Sequence, residues 1–60
     1  MQYLIDPQNG SAYWCDAGAL MFAPLSTDHT FDTAESGEVD FGRLDNEDRA
    51  RMETVKGRLC

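Results

Sequence analysis

The residues of this chain best suited to chemistry lie between positions 26 and 43, where Asp28, His29, Asp32, Glu35, Glu38 and Asp40 stand among Ser and Thr. Carboxylates at such spacing invite comparison with a calcium loop. Aligned from Asp32, the stretch places Asp32 at position 1, Ser36 at 5, Gly37 at the turn position 6, Glu38 at 7, apolar Val39 at 8 and Asp40 at 9. It departs at position 3, which is Ala34, and at position 12, where Arg43 replaces the bidentate Glu. No metal ligand and no cofactor is therefore expected. An acidic loop ordered by a divalent ion at residues 28–40 is the alternative.

His29 is the only histidine, with Asp28 beside it and Asp32 three residues on. A His–Asp pair can begin a base-and-orienter arrangement, but it needs a nucleophile and a pocket. Ser26, Thr27, Thr30 and Cys15 supply nucleophile types in composition only. The chain has no glycine-rich phosphate loop, no Cys-x-x-Cys pair and no zinc spacing. No catalytic residue is expected, and the protein is read as a non-enzyme.

Cys15 and Cys60 are the two cysteines. One pair without a secretory signal is weak ground for an oxidising compartment, so both are expected to be thiols, Cys15 as a small core side chain and Cys60 at a mobile terminus. The start Met1-Gln2-Tyr3-Leu4-Ile5 has no basic region, and the longest nearly apolar stretch, residues 17–25, is too short to cross a bilayer. A cytoplasmic protein with no membrane contact is expected. Asn9-Gly10-Ser11 is turn chemistry rather than a glycosylation site.

Charge divides the chain. Residues 1–42 hold seven acids and no Lys or Arg, while residues 43–60 hold all five basic residues against four acids, for a net charge of −6. Such a surface repels phosphate, so direct nucleic-acid binding is not expected and a basic partner is.

The elements that position these groups are legible in outline. Tyr3-Leu4-Ile5 and Ser11-Ala12-Tyr13-Trp14-Cys15 flank the turn cluster Asp6-Pro7-Gln8-Asn9-Gly10, a hairpin signal in which both Asn9 and Gly10 tolerate positive φ. After Asp16-Ala17-Gly18 a third strand runs to Pro24. Strands are expected at about 2–6, 11–15 and 19–23, and a short edge strand at 38–41 with Val39 and Phe41 inward. Residues 26–37 form a loop anchored by Phe31. A helix is expected over about 46–59, capped by Asp45, with Met52, Val55 and Leu59 as its apolar stripe, Leu44 adding to it, and Gly57 fraying the last turn. The fold class is α+β: a small antiparallel β-meander of three to four strands, one C-terminal α-helix on one face, in a single domain 1–60.

Seventeen large apolar side chains give a chain of 60 residues only marginal stability, which calls for a staple or a partner. In a strand, Tyr13 and Trp14 point to opposite faces, as do Met21 and Phe22. One helix covers one face, so aromatics remain for the other. That face, or an edge strand, is read as an interface in a homo-oligomer or with another protein, and the residues expected to bind a partner are Tyr13, Trp14 and Phe22 as apolar anchors and Glu35, Glu38 and Asp40 as charged contacts. Alternatively, the loop folds back and Phe31 closes the second face.

Tyr3-Leu4-Ile5-Asp6, Gly37-Glu38-Val39-Asp40-Phe41 and Asn46-Glu47-Asp48-Arg49, within a small acidic frame starting at Met1, give the chain a style that resembles the accessory proteins encoded by tailed phages. The resemblance implies binding and redirection of a host protein in the host cytoplasm. The expected function is thus a non-enzymatic interaction module or inhibitor whose acidic surface resembles nucleic acid. A purely structural homo-oligomer is a further alternative.

Overall fold

Turn residues set the course of the first half of the chain. In the computed structural model, which describes residues 2–60, strand β1 (Tyr3–Asp6) pairs antiparallel with β2 (Ser11–Asp16), Leu4 opposite Tyr13. Between them Gly10 adopts φ 64° and donates to the Pro7 carbonyl at 3.3 Å. Asn9 does not share the left-handed conformation. Its side-chain amide instead donates to the Asp6 carboxylate at 2.7 Å, so the turn is closed by side chains as well as backbone.

Strand β3 (Ala19–Pro24) follows through a two-residue turn in which Ala17 and Gly18 have φ 52° and 82°. Two left-handed residues match the twist of a tight hairpin, but alanine enters that region at a cost that glycine avoids. Strand β4 (Gly37–Glu38) pairs antiparallel with β3 and completes a four-stranded sheet of order β1-β2-β3-β4. The edge strand expected over 38–41 is thus shorter and begins one residue earlier. Its end has a local cause: the Asp40 carboxylate accepts the Gly42 N–H at 3.1 Å and turns the chain into a 3-10 turn at Phe41–Arg43.

Helix α1 (Asn46–Leu59) begins where expected, with the Asp45 carboxylate accepting the Asp48 N–H at 2.8 Å. It does not stop short at Gly57, and the Cys60 N–H closes the last turn on the Lys56 carbonyl at 2.7 Å. Met52 is buried, while Val55, Leu59 and Leu44 pack around a core of Tyr13, Leu20, Val39 and Met52. The molecule is a small α+β fold.

The second face of the sheet is covered over Trp14, while Tyr3 beside it stays 51% exposed. Phe31 lies on it, stacked on Trp14 with ring centroids 5.5 Å apart and set edge-on to Tyr3 at 5.2 Å. This corrects the expectation of a spare aromatic face. The loop 26–37 crosses back over the strands, and Trp14 is 4% exposed beneath it.

The cysteines are also corrected. Cys15 and Cys60 form a disulfide with Cα atoms 5.4 Å apart. Cys15 lies two residues beyond Tyr13 and so on the helix side of β2, where the end of α1 arrives. The staple that a core of this size calls for is therefore covalent. It joins the end of the sheet's second strand to the end of α1.

Candidate functional site

Four of the acids from 28 to 45 are occupied with holding backbone. Asp28 accepts the Thr30 N–H at 3.3 Å, Asp32 the Ala34 N–H at 2.9 Å, Asp40 the Gly42 N–H at 3.1 Å and Asp45 the Asp48 N–H at 2.8 Å. Each is the Asx geometry that organises turns and helix starts. The loop's order therefore comes from its own side chains. Among the described residues, no group of three His, Cys, Asp or Glu is placed to hold a metal ion.

The tightest of these turns surrounds Asp28. Its carboxylate accepts from the Ser26 hydroxyl, from the Thr30 hydroxyl at 2.7 Å and from the Thr30 N–H. These bonds favour the ionised form, chiefly through Ser26 and then Thr30, and hold the Asp28 pKa down to about 2. His29, at φ 63°, forms the corner of the turn, and its N–H donates to the Ser26 carbonyl at 3.0 Å. Asp28 thus orients Ser26 and Thr30, and a His29–Asp28 base pair is not formed. The turn is architecture.

Glu35 and Glu38 carry no such duty. Both are exposed, and among the described residues neither side chain makes a hydrogen bond or an ion pair. Glu35 ends the 3-10 turn Thr33–Glu35, and Glu38 lies on the sheet edge opposite Met21. From Leu25 to Gly42 the chain has no Lys or Arg. The nearest base, Arg43, is 89% exposed with its guanidinium 3.5 Å from Asp40, a pairing that water largely screens.

Beside this acidic edge lies a cleft. Phe22 stands on the helix side of β3 between Tyr13 and Gly37, and it remains 38% exposed. A methyl group on Gly37 would touch the Phe22 ring at 3.5 Å, so the ring lies over the edge strand. Phe22, Tyr13, Val39, Leu44 and Met52 line an open cavity of about 320 Å³. Glu38, Asp40, Arg43 and Arg51 also line it, and Arg51 is held by Asp6 at 3.2 Å and by Asp48 at 3.4 Å. A second cavity, of about 570 Å³, is lined by residues 38–42 and shares Glu38, Val39 and Asp40 with the first.

Of the residues predicted to bind a partner, the structure brings Tyr13, Phe22 and Asp40 to this cleft, while Glu38 borders it with its side chain on the sheet's other face, the side of Met21. Tyr13 is 5% exposed and serves as its floor, so it is no protruding anchor. Trp14 lies on the opposite face under Phe31 and is likewise removed from the surface. Glu35 is outside the cleft on the same acidic strap. Sequence reasoning missed Leu44 and Met52 as cleft residues and Arg49 as the clamp behind them. Arg49 donates from Nε to the Phe41 carbonyl and from Nη2 to the Leu44 carbonyl, each at 3.1 Å, and so fixes the 3-10 turn to the helix. Nothing in the spacing of Arg49 announces that contact.

Comparison with family models, with curated proteins and with solved structures finds no match to this chain. No helix among the described residues is long and apolar enough to cross a membrane.

Proposed function

We propose that this protein is a non-enzymatic interaction module that binds the basic surface of a partner protein through the acidic strap 26–42, in the manner of a nucleic-acid mimic. One observation carries the reading. Five carboxylates between positions 28 and 40 are exposed on a segment without a base, and three of them, Asp28, Asp32 and Asp40, fix the backbone that presents the rest. A preorganised array of like charge speeds encounter with an opposite surface and sets register on it.

The cytoplasmic setting expected from the sequence and the disulfide pull in opposite directions, because cytosolic thiols are kept reduced. The disulfide-closed form persists under oxidising conditions, and binding is to be measured in that form.

The test is capture from cell extract by immobilised oxidised protein, compared with a variant carrying Glu35→Lys, Glu38→Lys and Asp40→Asn. The Asn retains the acceptor for Gly42, so the fold is kept while the charge changes. Loss of a captured basic protein by the variant supports the reading. Equal capture by both forms removes the electrostatic mechanism.

A further inference from the structure

The two halves of the disulfide are not equally open to solvent. Cys60 is exposed at the end of α1, whereas Cys15 is half-buried in β2 opposite Leu20. A thiolate must reach the sulfur it attacks, and exposed disulfides are the labile, regulatory kind rather than the purely structural one.

What the bond holds is the last turn of α1, and that turn reaches the end of the acidic strap. Lys56, one turn before Cys60, lies over the Phe41 ring with its Nζ 5.7 Å from the centroid. At the other end of the helix Arg49 holds the Phe41 and Leu44 carbonyls. The 3-10 turn that closes the strap is therefore fixed from both ends of α1. Apart from the disulfide, α1 is fastened to the sheet by one buried side chain, Met52, by half-buried Val55 and Leu59, and by the Arg51–Asp6 pair. That stripe is narrow.

From this we infer that the disulfide is a redox latch opened at Cys60: a low-molecular-weight thiol cuts it, α1 leaves the sheet, and the end of the acidic strap is released with it. A thiolate attacks the Cys60 sulfur and forms a new S–S bond there. The Cys15–Cys60 bond breaks, and its electron pair stays on the Cys15 sulfur, which takes a proton from water. A second thiolate attacks the added sulfur of the mixed disulfide and frees Cys60, which is protonated in turn. Two small thiols are thus oxidised to one disulfide while the protein's disulfide is reduced to two thiols. The ordered charge array then exists only with the latch closed, so a reducing compartment switches binding off. That consequence rests on the proposed binding of a basic partner, whereas the latch itself does not.

The oxidised protein is placed in a glutathione buffer with the reduced form in excess, sampled with a maleimide quench, and mapped by mass spectrometry, with amide exchange followed in parallel. Early samples should carry glutathione on Cys60 and maleimide on Cys15, and later ones maleimide on both. Exchange at Met52 and Val55 should quicken by about a hundred- to a thousandfold in the reduced protein, the range that a disulfide's stabilisation implies, and Leu44 should quicken with them. The Cys15→Ser, Cys60→Ser form should exchange at the fast rate in either buffer. Early glutathione on Cys15, a disulfide that survives the buffer, or unchanged exchange at Met52 and Leu44 after reduction would each overturn the latch. Capture of a basic protein by the oxidised form alone supports the coupling to the strap, and equal capture by both forms would overturn it. Capture by neither form would refute the strap as a binding surface while the exchange result decides the latch.

Discussion

Reducing the Cys15–Cys60 disulfide is predicted to bring this protein close to its unfolding midpoint in water. The bond closes a loop with a sequence separation of 45 residues. In the chain-entropy treatment, the unfolded state loses 2.1 + 1.5R ln n cal/mol/K, which for a loop of this length is about 4 kcal/mol at 25 °C. Small domains carry about 0.05–0.15 kcal/mol of stability per residue, or about 3–9 kcal/mol for a chain of this size. The bond is thus comparable to the whole. The structure supports that weight, because α1 buries only Met52 fully and meets the sheet along a narrow stripe. The assay is urea unfolding followed by far-UV circular dichroism, with and without a dithiol reductant. The doubly substituted Cys15→Ser, Cys60→Ser form serves as a check on reduction. With a urea dependence of about 1 kcal/mol/M, the midpoint should fall by several molar. Equal midpoints for oxidised and reduced protein would refute the reasoning and show that packing alone holds α1 to the sheet.

Other perturbations follow from single contacts. Arg49→Met should destabilise by about 1–3 kcal/mol, because two charge-assisted bonds to the Phe41 and Leu44 carbonyls are lost, and should loosen the cleft wall; urea midpoints read the first effect and amide exchange at Leu44 the second. Ala17→Asn should stabilise by about 0.5–1 kcal/mol, since Asn tolerates the left-handed φ of 52° better than Ala; a lower melting temperature would contradict the turn assignment. Asp45→Ala should cost about 1 kcal/mol through loss of the helix cap, read as a lower thermal midpoint. The turn 26–30 should be stable above pH 4 and loosen as pH falls through about 2. Asp28's folded pKa lies below its ordinary value of 3.8, so its contribution is complete above that value and disappears on protonation; amide exchange of Thr30 across this range checks it.

The legible parts of the fold were those governed by local chemistry. Asp45 before an apolar stripe at helical spacing marks the start of α1, and Pro7 with Gly10 marks the first turn, because caps and turns depend on residues within four positions of each other. Phe31 was marked differently, as the one large apolar residue in a polar loop, while the rings it meets, Tyr3 and Trp14, lie far from it in sequence. The disulfide was not legible in this way. The meeting of Cys15 with Cys60 depends on the end of α1 arriving over the end of β2, which no local pattern encodes. Trp14 posed a related difficulty: alternation correctly assigned it to the face away from Tyr13, but whether solvent, a partner or Phe31 covered that face depended on the path of a loop. At the site, the surplus of acid was visible in composition. Its division into backbone-holding Asp28, Asp32 and Asp40 and unengaged Glu35 and Glu38 was not read out. The Asp-x-Thr, Asp-x-Ala and Asp-x-Gly triplets carried that signal, since each aspartate caps the N–H two residues on.

Recognition of a basic partner by charge at the strap 26–42, as proposed, must make the affinity depend on salt. Affinity for the captured partner is to be measured by titration calorimetry from 50 to 300 mM salt, for the oxidised protein and for the form reversed at Glu35 and Glu38. The native surface should lose affinity steeply with salt, and the reversed one should bind weakly and nearly independently of salt. Equal affinities that do not change with salt would contradict recognition by charge.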